Sequence, residues 1–124
     1  MQVQKAVLDA QKRVGLATEQ PAYGKSLLAV WQQAVADSSS CPAFTCLGHT
    51  LSYGEIDQLA RRVASYFQRQ LKLVPGDRIA VQLPNLTQYP VVVIAAWKLG
   101  LVIVNTNPMY TPRELEHQLN DAGV

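Results

Sequence analysis

Three polar residues follow a predicted buried strand and are the best candidates for contact with a ligand. Asn105, Asn107 and Tyr110 lie in the segment NTNPMY, directly after a strand predicted over residues 101–104. Amide and phenol groups form hydrogen bonds with polar ligands, and α/β proteins bind ligands beyond the carboxyl ends of parallel strands. Asn and Pro are also ordinary turn residues. A structural turn is therefore the favoured interpretation, and the three residues are weak candidates for substrate binding.

No catalytic residue and no metal site are predicted. Cys41 and Cys46 lie near His49, but zinc sites use tighter cysteine pairs together with a second pair of ligands. Structural roles for both cysteines are favoured, and no disulfide is expected in a reducing cytosol. His49 has no acid or nucleophile beside it, so we interpret it as a turn residue.

The candidate residues would be positioned by a βαβ unit. Residues 78–83 (RIAVQL) and 101–104 read as strands buried on both faces, and the apolar run between them ends in Lys98 and Gly100. The run is too short for a membrane helix, which needs about 20 apolar residues. Lys98 suits the negative end of a helix dipole, and Gly100 suits the left-handed residue that ends a helix. The pattern predicts parallel strands in a sheet covered by helices.

The remaining elements are predicted from local signals. Residues 43–47 and 50–51 form a hairpin around a Gly48-His49 turn, since glycine accepts the positive φ of such turns. Four helix starts are predicted from capping side chains. They are Ser26, the capping box of Ser52 and Glu55, Asn85, and the capping box of Thr111 and Glu114. Apolar side chains recur at helical spacing after Ser26 and Ser52, and Trp31 and Trp97 are expected in the core.

Composition excludes several classes of function. The chain has 124 residues, 48% of them hydrophobic, and a formal net charge of +2. Its cations are scattered, so no nucleic-acid surface is predicted, and no stretch reads as a transmembrane segment. Residues 1–25 are interpreted as an N-terminal arm, either a short helix or a loose segment, and not as a signal peptide. Residues 26–124 are interpreted as one α/β subdomain, cut short at its C-terminus.

The motifs resemble a known family when taken in order. Residues 51–56 (LSYGEI) are similar to the first core motif of the adenylate-forming superfamily of acyl-CoA synthetases, and residues 97–105 (WKLGLVIVN) to the second. Asn105 stands where many members have proline. Residues 105–119 closely resemble the bacterial long-chain fatty acyl-CoA ligases, and residues 84–91 (PNLTQYPV) point the same way. The resemblance implies the N-terminal subdomain of the adenylate-forming fold: an incomplete layered α/β sheet with parallel strands, covering helices and a small β-hairpin.

The resemblance also implies a reaction for the full-length parent. A fatty acid would attack the α-phosphate of ATP, with Mg²⁺, and coenzyme A would then displace AMP from the acyl-adenylate. This sequence has no counterpart of the family's glycine-rich phosphate loop or of its C-terminal lysine. The Thr18-Glu19 pair does not count as the family's Thr-Glu motif, because it lies in the N-terminal arm. The fragment alone is thus expected to be inactive and to bind no ATP, Mg²⁺ or coenzyme A. The alternatives are a stand-alone interaction or regulatory module and an unrelated small α/β enzyme.

Two further expectations concern the environment of the chain. A cytoplasmic location is expected, with the parent either free or peripheral to the inner membrane. If later segments normally cover the outer face of the βαβ unit, residues 1–124 alone expose apolar surface and are expected to self-associate.

Overall fold

The computed structural model describes residues 26–124, which form four helices and four strands. The predicted N-terminal arm, with its Thr18-Glu19 pair, lies outside the described residues. In chain order the elements are α1 (Leu27–Ser38), β1 (Pro42–Cys46), β2 (His49–Ser52), α2 (Tyr53–Arg69), β3 (Arg78–Val81), α3 (Gln88–Leu99), β4 (Val102–Asn105) and α4 (Pro112–Ala122). In this part of the chain every helix falls short of the length and apolar character needed to cross a bilayer.

Strands β1 and β2 form the predicted antiparallel hairpin, but its turn lies one residue earlier than expected. The loop residues are Leu47 and Gly48, with φ of 49° and 80°, and His49 is the first residue of β2. Two consecutive positive φ angles match the twist of a hairpin. The prediction of a Gly48-His49 turn was wrong because leucine rarely adopts this conformation, so sequence gives no sign of Leu47 in the loop.

Helix α2 is the centre of the core. Its predicted capping box is confirmed: the Glu55 N–H donates to Ser52 Oγ at 3.2 Å, and the Ser52 N–H donates to the Glu55 carboxylate at 2.8 Å. Ile56 and Ala60 are fully buried, and α2 packs mainly against α3 and also against α1. The buried core cluster joins all three helices through Trp31, Ile56, Ala60, Ala64, Val91, Ile94 and Ala95, with Trp97 half-buried at its border.

Strands β3 and β4 pair in parallel and α3 connects them, as predicted. Gly100 has φ of 69° and ends α3; its N–H and that of Leu101 both donate to the Ala96 carbonyl. This arrangement is the expected left-handed helix end. The prediction that both strands are buried on two faces was wrong. Val102 is 46% exposed, because the sheet has only two strands within residues 26–124 and β4 forms one of its edges.

The start of α3 also differs from the prediction. Asn85 is not the N-cap, because α3 begins at Gln88 and is preceded by Thr87, whose side chain makes no capping hydrogen bond. Asn85 instead lies in a bend, where its carbonyl accepts from Cys46 Sγ at 3.4 Å. A turn bond from the Tyr89 N–H to the Leu86 carbonyl begins the helix after that bend. The bend holds the hairpin against the N-terminal end of α3.

Helix α4 runs from the carboxyl end of the sheet back to its amino end, where the guanidinium of Arg78, the first residue of β3, donates to the Ala122 carbonyl. Its predicted capping box is confirmed by the Glu114 N–H, which donates to Thr111 Oγ1 at 3.4 Å, and by the Thr111 N–H, which donates to Glu114 at 2.8 Å. Pro112 is the first helical residue and Gly123, with φ of 62°, ends the helix. No side chain of α4 is fully buried, so its apolar stripe is only half covered.

Candidate functional site

The three candidate residues meet at the carboxyl ends of β3 and β4. Asn105, Asn107 and Tyr110 all line one cleft of about 440 Å³, which also contains Tyr89 from the first turn of α3. Parallel strands place their carboxyl ends at one edge, and this is the edge where α/β sheets bind ligands. The structure therefore brings together, in one open cleft, the residues that the sequence singled out.

Each of the two asparagines also stabilises the backbone. Asn105 Oδ1 accepts from the Tyr89 hydroxyl at 2.8 Å, and the Asn105 carbonyl accepts from Gln118 Nε2 at 3.0 Å. Asn107 Oδ1 accepts from the Met109 N–H at 2.9 Å, which is a turn typical of Asn. These contacts support the structural interpretation of the segment, and the proposed contact with a ligand stays a prediction for all three residues.

Thr106 and Gln118 are members of this region that the sequence reading missed. Thr106 is 4% exposed, and its N–H donates to the Val81 carbonyl at 3.1 Å, so it extends the pairing of β4 with β3. Gln118 Oε1 is buried and has no hydrogen-bond partner among residues 26–124. Sequence carries a weak signal for Thr106, since it directly follows the strand, and none for Gln118.

A second polar cluster lies inside the helical layer, around Asp57. The side chain of Asp57 is 6% exposed and accepts hydrogen bonds from three groups. Lys98 Nζ lies 2.7 Å from Oδ1, Trp31 Nε1 lies 2.9 Å from Oδ1, and Arg61 Nε lies 2.8 Å from Oδ2. The cluster therefore ties α1, α2 and α3 together through one carboxylate.

The protonation of Asp57 follows from these contacts. Burial acts to raise the pKa of the carboxyl, but hydrogen bonds from Lys98, Trp31 and Arg61, with the charge of Lys98, outweigh it and lower the pKa below its ordinary value. Asp57 is thus ionised and paired at neutral pH. The interpretation of Lys98 as a partner of the helix dipole was incomplete, because its side chain is only 15% exposed and pairs with Asp57.

The Asp57 cluster was not predicted, although two features of the sequence indicate it. Asp57 precedes Ala60 by three residues and Ala64 by seven, so it lies on the buried stripe of α2. Lys98 is the lone charge in an apolar helix. A charged residue on each of two packed apolar faces indicates a buried ion pair.

The side chains that commonly bind metal ions are dispersed over residues 26–124. Within residues 26–124 no three His, Cys, Asp or Glu side chains lie close enough together to hold a metal ion. Cys41 is exposed and Cys46 half-buried, and both are free thiols. Cys46 pairs with His49 across the hairpin. We derive no chemical step through ATP or Mg²⁺ on these residues.

Comparison with known proteins gives a family match over most of the chain. A family model described as "AMP-binding enzyme" matches residues 31–124. A long-chain-fatty-acid–CoA ligase of Escherichia coli O6:H1 is 44% identical over 99 residues, which is 80% of this chain and 18% of that protein. One from Bacillus subtilis is 35% identical over 106 residues, or 86% of this chain and 19% of that protein. The chain thus spans about a fifth of the length of these relatives.

Solved structures confirm the predicted fold. The N-terminal subdomain of Klebsiella oxytoca NpsA superposes with a TM-score of 0.77 at 20% identity, covering 82% of this chain and 26% of that one. VinN, solved in complex with L-aspartate, gives a TM-score of 0.77 at 26% identity over the same shares. The α/β fold with parallel strands and a small hairpin is therefore that of the N-terminal subdomain of adenylate-forming enzymes. Since the family model covers three quarters of the sequence, this chain belongs to the family of AMP-binding enzymes.

Proposed function

We propose that residues 26–124 form the N-terminal scaffold of a long-chain fatty acid–CoA ligase. The observation that carries the proposal is the continuous match of residues 31–124 to the AMP-binding family, through both core motifs and the βαβ unit. The parent enzyme would activate a fatty acid with ATP and Mg²⁺ to an acyl-adenylate, and would then transfer the acyl group to coenzyme A. It would act in the cytoplasm or at the inner face of the inner membrane.

In this proposal the chain is a structural scaffold for the enzyme and contributes none of the reacting groups. The Asp57 cluster fixes α1, α2 and α3 relative to one another, because one carboxylate accepts from all three helices. That layer carries the β3–β4 pair, whose carboxyl ends form the cleft with Asn105, Asn107 and Tyr110. The three residues would contact a polar part of a substrate only where the rest of the enzyme adjoins this cleft.

A segment exchange tests the proposal. Residues 26–124 replace the matching segment of the E. coli ligase, and acyl-CoA formation is measured with a long-chain fatty acid, ATP and coenzyme A. The expected result is retained acyl-CoA formation, since this segment would serve the same scaffold role in both proteins. The unaltered E. coli enzyme is the positive control.

A matched variant separates folding from function. Ile56 is fully buried, so the exchange carrying Ile56→Asp should neither fold nor turn over, because an unpaired buried charge is strongly destabilising. A well-folded exchange protein that forms no acyl-adenylate and no acyl-CoA would contradict the proposal and would favour a separate interaction module.

A further inference from the structure

The cleft at the carboxyl ends of β3 and β4 has a neutral lining. It combines aliphatic side chains and Pro108 with amide, hydroxyl and phenol groups, and none of its lining residues in the described part of the chain is charged. All of them lie between Val81 and Tyr110, so the cleft is formed by the interior of the sequence and not by its ends. A charged group that entered it would lose water without gaining a counter-charge. The cleft therefore favours a neutral ligand.

One hydrogen bond sets the orientation of the Asn105 amide in the cleft. The Tyr89 hydroxyl donates to Asn105 Oδ1 at 2.8 Å. The N–H groups on Asn105 Nδ2 are therefore left to donate to another acceptor. The Tyr89 oxygen has given its own hydrogen to Asn105 and can still accept one. The pair thus offers a ligand a hydrogen-bond donor and an acceptor side by side.

A turn after β4 holds Tyr110 at the same cleft. The Tyr110 N–H donates to the Asn107 carbonyl at 3.1 Å, and the Met109 N–H donates to Asn107 Oδ1 at 2.9 Å. The turn is joined to the sheet through the buried Thr106, whose N–H donates to the Val81 carbonyl. Tyr110 lines the cleft and is 37% exposed, so its ring and hydroxyl are accessible to a ligand. Contacts held in place before binding reduce the entropy lost on binding.

We propose that the cleft binds a neutral amide group, and that in the parent ligase this amide belongs to the thiol arm of coenzyme A. The inference rests on the proposed function. An amide carries one group that accepts and one that donates. Its carbonyl would accept from Asn105 Nδ2 and the Tyr110 hydroxyl, and its N–H would donate to the Tyr89 oxygen. Leu83 and Pro108 would contact the carbon chain on either side of the amide.

The other groups of the proposed substrates fit the cleft less well. A fatty acid carboxylate is ionised at neutral pH and has no hydrogen to donate to Tyr89. The phosphates of ATP are anions, which bind to cations or to clusters of N–H groups. Adenine is the remaining competitor, because it is neutral and both donates and accepts hydrogen bonds. It occurs in ATP and in coenzyme A, so comparing the substrates distinguishes adenine from the amide arm.

Steady-state kinetics of the exchange protein, with residues 26–124 in the E. coli ligase, test the assignment. Tyr110→Phe deletes one hydroxyl and should lower kcat/KM for coenzyme A about fivefold, the effect of losing one hydrogen bond to a neutral group. The loss should appear for coenzyme A and not for ATP. It should also appear with pantetheine, which has the amide groups but lacks the nucleotide. Asn105→Asp keeps an acceptor for Tyr89 but removes the Nδ2 donors, and should lower kcat/KM for both thiols at least as far.

Tyr66→Phe is the matched control, because Tyr66 is 55% exposed on α2 and lies outside the cleft. It should leave kcat/KM for both thiols unchanged. An active exchange protein in which Tyr110→Phe has no effect on coenzyme A would overturn this inference and leave the proposed function standing. A loss for ATP, or a loss with coenzyme A but not with pantetheine, would assign the cleft to adenine and would also overturn it. A folded exchange protein that forms no acyl-adenylate would overturn the proposed function, and this inference with it.

Discussion

Removing the charge of Asp57 is expected to destabilise the chain far more than removing its exposed partner. Asp57→Asn keeps the shape of the side chain but leaves the ammonium group of Lys98, which is 15% exposed, without a counter-charge. Breaking a buried ion pair from one side costs about 3–5 kcal/mol. Arg61 contacts the same carboxylate, but its side chain is 72% exposed, and exposed pairs contribute about 0–1 kcal/mol. Arg61→Ala is therefore the matched control.

Urea denaturation measured by tryptophan fluorescence gives the free energy of unfolding for each variant. Combining Asp57→Asn with Lys98→Met removes both members of the pair, so the double variant should lose less than the sum of the single losses, by at least about 1 kcal/mol. The reasoning would be refuted by additive losses, or by an Asp57→Asn variant as stable as Arg61→Ala. Either result would mean that the buried contact contributes no net stability.

The remaining predictions concern pH and two helix ends. Because the pKa of Asp57 is lowered in the folded chain, its contribution should be complete above about pH 5 and should disappear as the pH falls below about 4, where the unfolded chain takes up the proton first. The stability difference between wild type and Asp57→Asn, followed by acid titration, should shrink over this range; a difference that stays constant down to pH 3 would contradict it. Thr111→Ala removes the cap of α4 and should reduce the free energy of unfolding by about 1 kcal/mol, whereas Thr111→Ser should retain most of it. Gly100→Ala should lower the free energy of unfolding by at least about 1 kcal/mol in the same assay, because φ is 69°, a conformation that is strained for a residue with a Cβ; an unchanged midpoint would show that α3 can end differently.

Helix ends were predictable because their signals are local. The Ser52 and Thr111 capping boxes need only two side chains three residues apart, and Gly100 needs only its own backbone freedom. The one local failure at a helix start is Asn85, which has the right residue type but lies in a bend that contacts the hairpin. A contact between distant parts of the chain decided that position.

The Asp57 cluster and the exposure of β4 depend on contacts between elements that are distant in sequence. Asp57 and Lys98 are far apart in sequence and meet only because α2 packs on α3. Val102 has the residue type of a buried strand, yet it is 46% exposed, because it lies on an edge strand of a sheet that has two strands within the described residues. The cleft residues were found because strand ends and turn residues can both be located from sequence. The hydrogen-bond partners of Asn105, which are Tyr89 and Gln118, could not be located in this way.

Assaying the 124-residue chain by itself tests the central claim most directly, namely that it is a scaffold whose reaction depends on residues elsewhere in a ligase. Pyrophosphate release is measured with the chain, a long-chain fatty acid, ATP, Mg²⁺ and coenzyme A, beside the intact E. coli ligase. The expected result is no release above background from the folded chain. Fatty-acid-dependent release that disappears in a Tyr110→Phe or Asn105→Ala variant would contradict the claim, because the cleft would then take part in the chemistry.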